Sequence, residues 1–411
     1  MARDVWLRVT PLRHDDHLVV VGAGLAGWRF CEVVRQLGFS GEITLIGAED
    51  RPPYDRPPLS KQILAGKWEI AKATLASAER LEKTPVTLRL GSRATALDVE
   101  HTRVELDDGT RVAGTHVVIA TGSLARSMSF ASSGALPTLR TADDAERLNA
   151  LVDAVEPGAT LGIIGGGFLG AEAATSWMAR GLHPVVLEAA ARPLLGVVGE
   201  EASEWLIDLA PDFGVELHTR QTIRDVAARE DGYRIEFEGR DPLEVSLVLA
   251  AVGSVLDLEW LSGSGLTLDH GVVVDENLQA ATRVAALGDV ARFPYRGDER
   301  IRVEHWQVAA DHAWHLAHHW MGHVVPPAVP YFWSDQYGKK IQMLGHPRPD
   351  DQVVRVMGGD GENKWLALYA REGIVTGVLS LSNPRALATS KILLDETTTL
   401  DEALRHAPWT A

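Results

Sequence analysis

The sequence predicts an α/β protein with two Rossmann-like dinucleotide-binding domains, the second inserted in the first, and a small C-terminal α+β domain. Two observations carry this reading. A glycine fingerprint occurs twice, each time after a short apolar strand and at the start of a helix. The same succession of elements then follows each copy.

The first copy is His17-Leu-Val-Val-Val-Gly22-Ala-Gly24-Leu25-Ala26-Gly27, and strand Glu42-Ile-Thr-Leu-Ile46 follows its helix. A hairpin is expected around Asp107-Asp108-Gly109-Thr110, then a closing strand that begins at Val117 and ends in Ala120-Thr121-Gly122-Ser123. The second copy is Leu161-Gly-Ile-Ile-Gly165-Gly-Gly167-Phe168-Leu169-Gly170, followed by Pro184-Val-Val-Leu-Glu188. A hairpin at Glu230-Asp231-Gly232 and a closing strand from Val248 to Gly253-Ser254 complete the repeat. An acidic residue stands roughly twenty positions beyond each glycine turn, Glu49 and Glu188, where a ribose hydroxyl would be held. Two such units in one chain imply two dinucleotides held close together, and the usual reason to hold two is to pass electrons between them.

Beyond Gly253, the segment Val272–Asp275 leads to Ala285-Ala-Leu-Gly288-Asp289-Val290, which reads as a strand returning to the first domain's sheet. From about Pro326 the texture changes to short strands: Tyr331–Tyr337, Lys340–Met343, Gln352–Met357, Trp365–Ala370 and Ile374–Leu381. Helices are expected after Asn383-Pro384 and near Leu400. The domain boundaries expected are therefore 1–128 and 255–325 for the first dinucleotide domain, 129–254 for the second and 326–411 for the C-terminal domain.

Composition narrows the function. The 411 residues carry a net charge of −16, which argues against nucleic acid as a partner. No apolar run approaches the roughly 18 residues a membrane span needs, and the start lacks a signal-peptide core, so the expected location is cytoplasmic. The single cysteine, Cys31, excludes a dithiol redox pair or a cysteine-based cluster within the chain, and is expected in the core.

Several further strings resemble one family. Glu49-Asp-Arg-Pro-Pro-Tyr54-Asp-Arg56-Pro-Pro-Leu-Ser-Lys61 is similar to a stretch of the NADH-dependent ferredoxin and rubredoxin reductases, flavoproteins that serve bacterial P450 and Rieske oxygenase systems. Ala120-Thr121-Gly122-Ser123 with Arg126, Gly288-Asp289-Val290, Glu304-His305-Trp306 and Tyr331-Phe-Trp333-Ser-Asp-Gln336 occur in the family's order, from about His17 to Leu400.

The resemblance implies FAD on the first fingerprint. Gly22, Gly24, Leu25, Ala26 and Gly27 would cradle the pyrophosphate, Glu49 the adenosine ribose, and Ala94, Ala120, Thr121, Gly122 and Arg126 further cofactor contacts. Arg56 is expected to touch FAD from a proline-stiffened loop. Lys61 is expected beside the isoalloxazine and paired with Glu172, where its charge stabilises the reduced ring; these two are the expected catalytic residues. Gly288 and Asp289 would meet the ribityl chain. Trp306 would begin a helix aimed at the flavin, and Trp333 would approach from the other side.

Gly165, Gly167, Phe168, Leu169 and Gly170 would repeat the arrangement for NADH, with Gly253 at the nicotinamide end. Glu188 favours NADH because a carboxylate repels a 2′-phosphate, although Arg192 four residues later is able to swing toward one.

The implied reaction moves a hydride from NADH to flavin, then single electrons to a [2Fe–2S]-type ferredoxin serving a P450 or Rieske oxygenase. Arg292, Arg296, Arg300 and Arg302, with Lys339 and Lys340, form a candidate basic docking patch for an acidic ferredoxin. Two alternatives stay open: an NADH reductase of a quinone or radical, and an apoptosis-inducing-factor-like scaffold that responds to NADH. His312, His315 and His319 share a helical face, yet a solvated or partly packed helix explains them, and no metal site is expected.

Overall fold

The structure is a computed structural model describing residues 11–128, 131–297, 299–359, 362, 364–394 and 397–410. The chain divides into two compact units, one of Met1–Asp55, Ala73–Leu124 and Val255–Ala328, the other of Arg56–Lys72, Ala125–Ser254 and Val329–Ala411.

A six-stranded sheet runs through the first unit in the order 279–281, 284–286, 116–119, 17–21, 42–46 and 87–89. All pairings are parallel except that of the first two strands. Its central strand is a run of apolar residues in which Leu18, Val19 and Val20 are fully buried, as expected for a parallel strand covered on both faces. Val19 stands between Thr44 on one side and Val117 on the other, so the two flanking strands end level at the glycine turn.

Helix Leu25–Gln36 packs on helix Trp306–Trp320, with Phe30 edge-on to Trp320 at 5.6 Å. Trp28, Phe30 and Trp320 are fully buried, and cutting any of them to alanine costs about 3–5 kcal/mol. Cys31 lies in the same core, where burial pushes its thiol up to about 12. A three-stranded antiparallel meander, 94–98, 103–106 and 111–113, turns at Gly109 with φ +80°, the left-handed position an Asp-Gly pair supplies.

The second unit repeats the scheme. Its parallel sheet has the order 216–218, 183–187, 160–164, 247–250, and an antiparallel meander follows over 223–229, 232–237 and 243–245. The same unit contains a five-stranded antiparallel sheet ordered 331–336, 339–345, 374–381, 365–371, 352–357. Helices Pro384–Ser390 and Leu400–His406 accompany it, each opened by a capping side chain, Asn383 and Thr399.

Two expectations need correction. The stretch at Lys61 is not an open loop but a π-helical turn, Leu59–Ile63, in which Ile63 N–H donates to the Pro58 carbonyl at 3.0 Å. Proline suits the start of a helix, where its missing N–H is not needed, and Leu-Ser-Lys-Gln-Ile then continues it. Asp289 is not part of the strand that returns to the first sheet; it sits in the 3-10 turn Gly288–Val290. The histidine-rich helix is partly packed, as expected: Trp314 is half exposed, while His312 points into the core with Ala313, Leu316 and Ala317.

Candidate functional site

The two fingerprints fold alike. The helices that follow them are capped by Gly24 (φ −86°, ψ −166°) and Gly167 (φ −74°, ψ −171°). Neither cap has a side-chain hydrogen bond, and neither helix has an acidic residue in its first turn. The first-turn N–H groups are therefore left for a ligand, and the helix dipole favours an anion there.

The glycines divide by role. A Cβ at Gly22 (φ +116°) would stand 2.1 Å from the Ala120 carbonyl oxygen, and one at Gly27 would stand 2.1 Å from the Gly22 oxygen. In the second copy a Cβ at Gly165 would meet the Ala251 oxygen at 2.3 Å, and one at Gly170 the Gly165 oxygen at 2.0 Å. These four are required by the protein's own packing. Gly24 and Gly167 face open space: beyond their chain neighbours and their own helix, no atom lies within 4 Å of where a Cβ would stand. Packing does not explain those two, whereas close approach of a pyrophosphate does.

Around the first turn, Glu49 accepts the Tyr54 hydroxyl at 2.6 Å, and Asp289 accepts the Ser123 hydroxyl at 2.9 Å. The Gly288 N–H donates to His312 Nδ1 at 3.2 Å. Burial drives the His312 pKa down to about 3, so the ring stays neutral and keeps that nitrogen as an acceptor. Trp306 is the first residue of its helix and its indole N–H donates to Asp55 at 2.5 Å. The Thr121 hydroxyl is buried with no partner in the protein. An orphaned buried hydroxyl beside the glycine turn fits a polar ligand. Leu25 and Ala26 occupy the first helical turn; Gly122 turns the chain at φ +67°, and Ala94 opens the meander.

In the second unit, Lys61 Nζ lies 2.9 Å from Glu172 Oε1. Ser60 donates its hydroxyl to Glu172 Oε2 at 2.6 Å and Ser334 donates to Oε1 at 2.7 Å. Glu172 sits one helical turn beyond Phe168, whose ring packs on Phe332 at 4.8 Å, and Leu169 stands next to it. Arg56 donates to the Arg140 carbonyl. Arg126 and Gly253 come together through an Arg126 N–H bond to the Gly253 carbonyl at 3.0 Å. Trp333 is half-buried and stacks on Tyr331 at 6.0 Å. Glu188 accepts from the N–H groups of Gly166 and Ala190, both at 2.7 Å, so its carboxylate is fixed at the mouth of the turn.

The sequence motifs assign no role to Ser60, Ser334, Tyr54 or His312. The first three lie inside the quoted family strings. His312 carries no local signal that separates a core acceptor from the other histidines of its helix. The basic patch needs correction as well. Arg292 pairs with Asp269, Arg302 with Glu304 and Lys340 with Asp335, while Arg300 donates to the Val274 carbonyl. Each of those three pairs sets an acid against a base, so the two segments carry far less free positive charge than a residue count suggests. Among the described residues no group of three or more His, Cys, Asp and Glu is placed to hold a metal ion, and no helix is long and apolar enough to cross a membrane.

Residues 16–313 match the family described as pyridine nucleotide-disulphide oxidoreductase, and residues 331–409 match the reductase C-terminal family. The chain is a member of the pyridine nucleotide-disulphide oxidoreductases. Within that family it belongs with the ferredoxin reductases. It is 32% identical to rhodocoxin reductase of Rhodococcus erythropolis over 388 residues, spanning 92% of this chain and 90% of the relative. It is also 32% identical to the ferredoxin reductase component of a chlorobenzene dioxygenase of Cupriavidus sp., covering 94% of each. Among solved structures, the covalent complex of putidaredoxin reductase with putidaredoxin aligns at a TM-score of 0.86 and 29% identity, over 95% of this chain and 99% of that one. The reductase is thus an oxidoreductase of α/β fold, and membership implies a flavin and a nicotinamide dinucleotide.

Proposed function

We propose that the flavin is FAD, held on the first fingerprint, that NADH is held on the second, and that the electrons leave singly for a [2Fe–2S]-type ferredoxin serving a P450 or Rieske oxygenase. The observation that carries this reading is the pair of open glycines. Gly24 and Gly167 leave space at two similarly capped helix starts in a chain whose reductase relatives it matches nearly end to end. Bound flavin supplies the conversion of a hydride into two separate electrons.

The chain's own residues bind and orient. Gly22, Gly24, Leu25, Ala26 and Gly27 hold the pyrophosphate of FAD, Glu49 its adenosine ribose, and Gly288 and Asp289 its ribityl chain. Ala94, Ala120, Thr121, Gly122, Arg126, Arg56, Trp306 and Trp333 complete that site. Lys61, steadied by Glu172, offers a fixed positive charge where negative charge builds on reduction. Gly165, Gly167, Phe168, Leu169, Gly170 and Gly253 serve NADH, and Glu188 takes its 2′-hydroxyl. The domain assignment that goes with these roles is 1–128 with 255–325 for FAD, 129–254 for NADH and 326–411 for the C-terminal domain.

Stopped-flow reoxidation of the NADH-reduced protein tests the proposal. Fast reoxidation by a ferredoxin and slow reoxidation by quinones supports it. Saturable turnover with a small acceptor supports a quinone or radical reductase instead, and slow reoxidation by every acceptor supports an NADH-responsive scaffold.

A further inference from the structure

Arg192 lies four residues beyond Glu188, on the turn where a 2′-phosphate would arrive, and arginine is the side chain best shaped to receive one. Two carboxylates already occupy it. Arg192 Nη1 lies 3.2 Å from Glu200 Oε1, and its Nε is paired with Glu204. Its side chain is only 25% exposed. The bonds to Glu200 and Glu204 also raise its pKa above the ordinary value, chiefly through Glu200.

Both glutamates project from one face of the helical stretch that follows the break at Gly199 within Leu195–Leu206, one turn apart. That segment is held from behind. Tyr369 donates its hydroxyl to the Val198 carbonyl at 2.7 Å, and Gly199, at φ +78°, runs so close to Pro349 that a Cβ would sit 2.3 Å from its carbonyl oxygen. The glutamates therefore start from a fixed backbone.

We propose that Glu200 and Glu204 are positioning residues for dinucleotide selectivity: they hold Arg192 and so deny it to a 2′-phosphate, adding a second barrier to the one Glu188 raises. This inference rests on the reading of the second fingerprint as the NADH site. Both glutamates are well exposed, so each contact alone is weak. The effect comes from the balance of charge. Glu200 and Glu204 share one guanidinium, and a phosphate must displace carboxylates that are already bonded to it. Arg220 and Arg240 are further cations of this neighbourhood: the Arg220 backbone N–H donates to the Ala190 carbonyl at 2.9 Å, and Arg240 donates to the side chain of Gln221, whose backbone N–H in turn donates to the Glu188 carbonyl.

The test is equilibrium binding to the full flavin-loaded chain, by titration calorimetry, of 5′-AMP and adenosine 2′,5′-bisphosphate. The wild type is expected to prefer 5′-AMP. In the Glu200→Gln/Glu204→Gln variant the affinity ratio shifts toward the bisphosphate by about tenfold, the scale of one charge-assisted hydrogen bond. The shift shrinks as salt rises. Adding Arg192→Met removes it. An unchanged ratio in the double variant overturns the proposal, as does a gain that survives Arg192→Met, which assigns the phosphate to another cation such as Arg220 or Arg240. Binding of 5′-AMP by each variant reports that the site is folded. If the wild type binds neither nucleotide, the NADH reading of this site fails first and the inference falls with it.

Discussion

Glu172 Oε1 lies 2.9 Å from Lys61 Nζ, and the same carboxylate receives the hydroxyls of Ser60 and Ser334. A charged pair this far from water is stable only when its remaining lone pairs are also filled. The π-helical turn brings Lys61 and Ser60 to the carboxylate together, and strand Tyr331–Gln336 adds Ser334. Ser176 ties the turn down by donating to the Ser60 carbonyl at 2.6 Å.

Removing the Ser60 hydroxyl leaves Glu172 Oε2 short of a donor, whereas without Ser334 the other oxygen keeps Lys61 Nζ and the Asp335 N–H at 3.3 Å. Ser60→Ala is expected to destabilise the protein by about 1–3 kcal/mol in urea unfolding, and Ser334→Ala by less. A loss within experimental error for both would show that the carboxylate is not held in this way.

Lys61→Met tests the role proposed for the pair. It is expected to slow bleaching of the flavin by NADH on the order of a hundredfold, the scale seen when one preorganised electrostatic donor is lost. The flavin content should stay unchanged. Bleaching at the wild-type rate would remove Lys61 from the catalytic account.

The first fingerprint makes opposite forecasts for two neighbouring glycines. Gly22→Ala drives a Cβ into the Ala120 carbonyl and should destabilise the fold by roughly 3 kcal/mol or more. Gly24→Ala meets nothing in the protein, so its melting temperature without flavin should match the wild type while flavin retention falls. Full flavin retention by Gly24→Ala would contradict the cradle.

His312 gives stability a pH dependence. Its folded pKa, near 3, lies below the ordinary value of 6.5, so the unfolded chain takes up a proton that the folded one refuses. Its contribution is present in full above pH 6.5 and declines as pH falls toward 3, by about 1.4 kcal/mol per pH unit within that window. Burial lowers His315 and His319 as well, so the slope belongs to His312 only as a difference. Denaturant unfolding of wild type and His312→Gln from pH 7 to 4 should show a shallower slope in the variant. Equal slopes would show that the ring titrates freely.

Much of the fold was legible because its signals are local. An apolar strand buried on both faces reads as a continuous run, as in His17–Val21, and Asp-Gly marks the turns of both meanders. Gly22, Gly27, Gly165 and Gly170 were legible for a stricter reason: the backbone approaches they allow admit no other side chain. What stayed hidden depends on long-range packing. Nothing near Ser334 announces that it meets Glu172. Nothing in the sequence of the histidine-rich helix marks His312 as the ring turned inward toward the Gly288 N–H. The charge count over Arg292–Arg302 misled because it ignored the acids, Asp269 and Glu304, that fold against those arginines.

The most direct measurement is the visible spectrum of the purified, folded protein before and after anaerobic addition of NADH. The account predicts a yellow protein with a flavin band, FAD on release by denaturation, and bleaching of the band by NADH far faster than by NADPH. A colourless protein that takes up no FAD when it is supplied, or a flavin that NADH leaves oxidised, would contradict it.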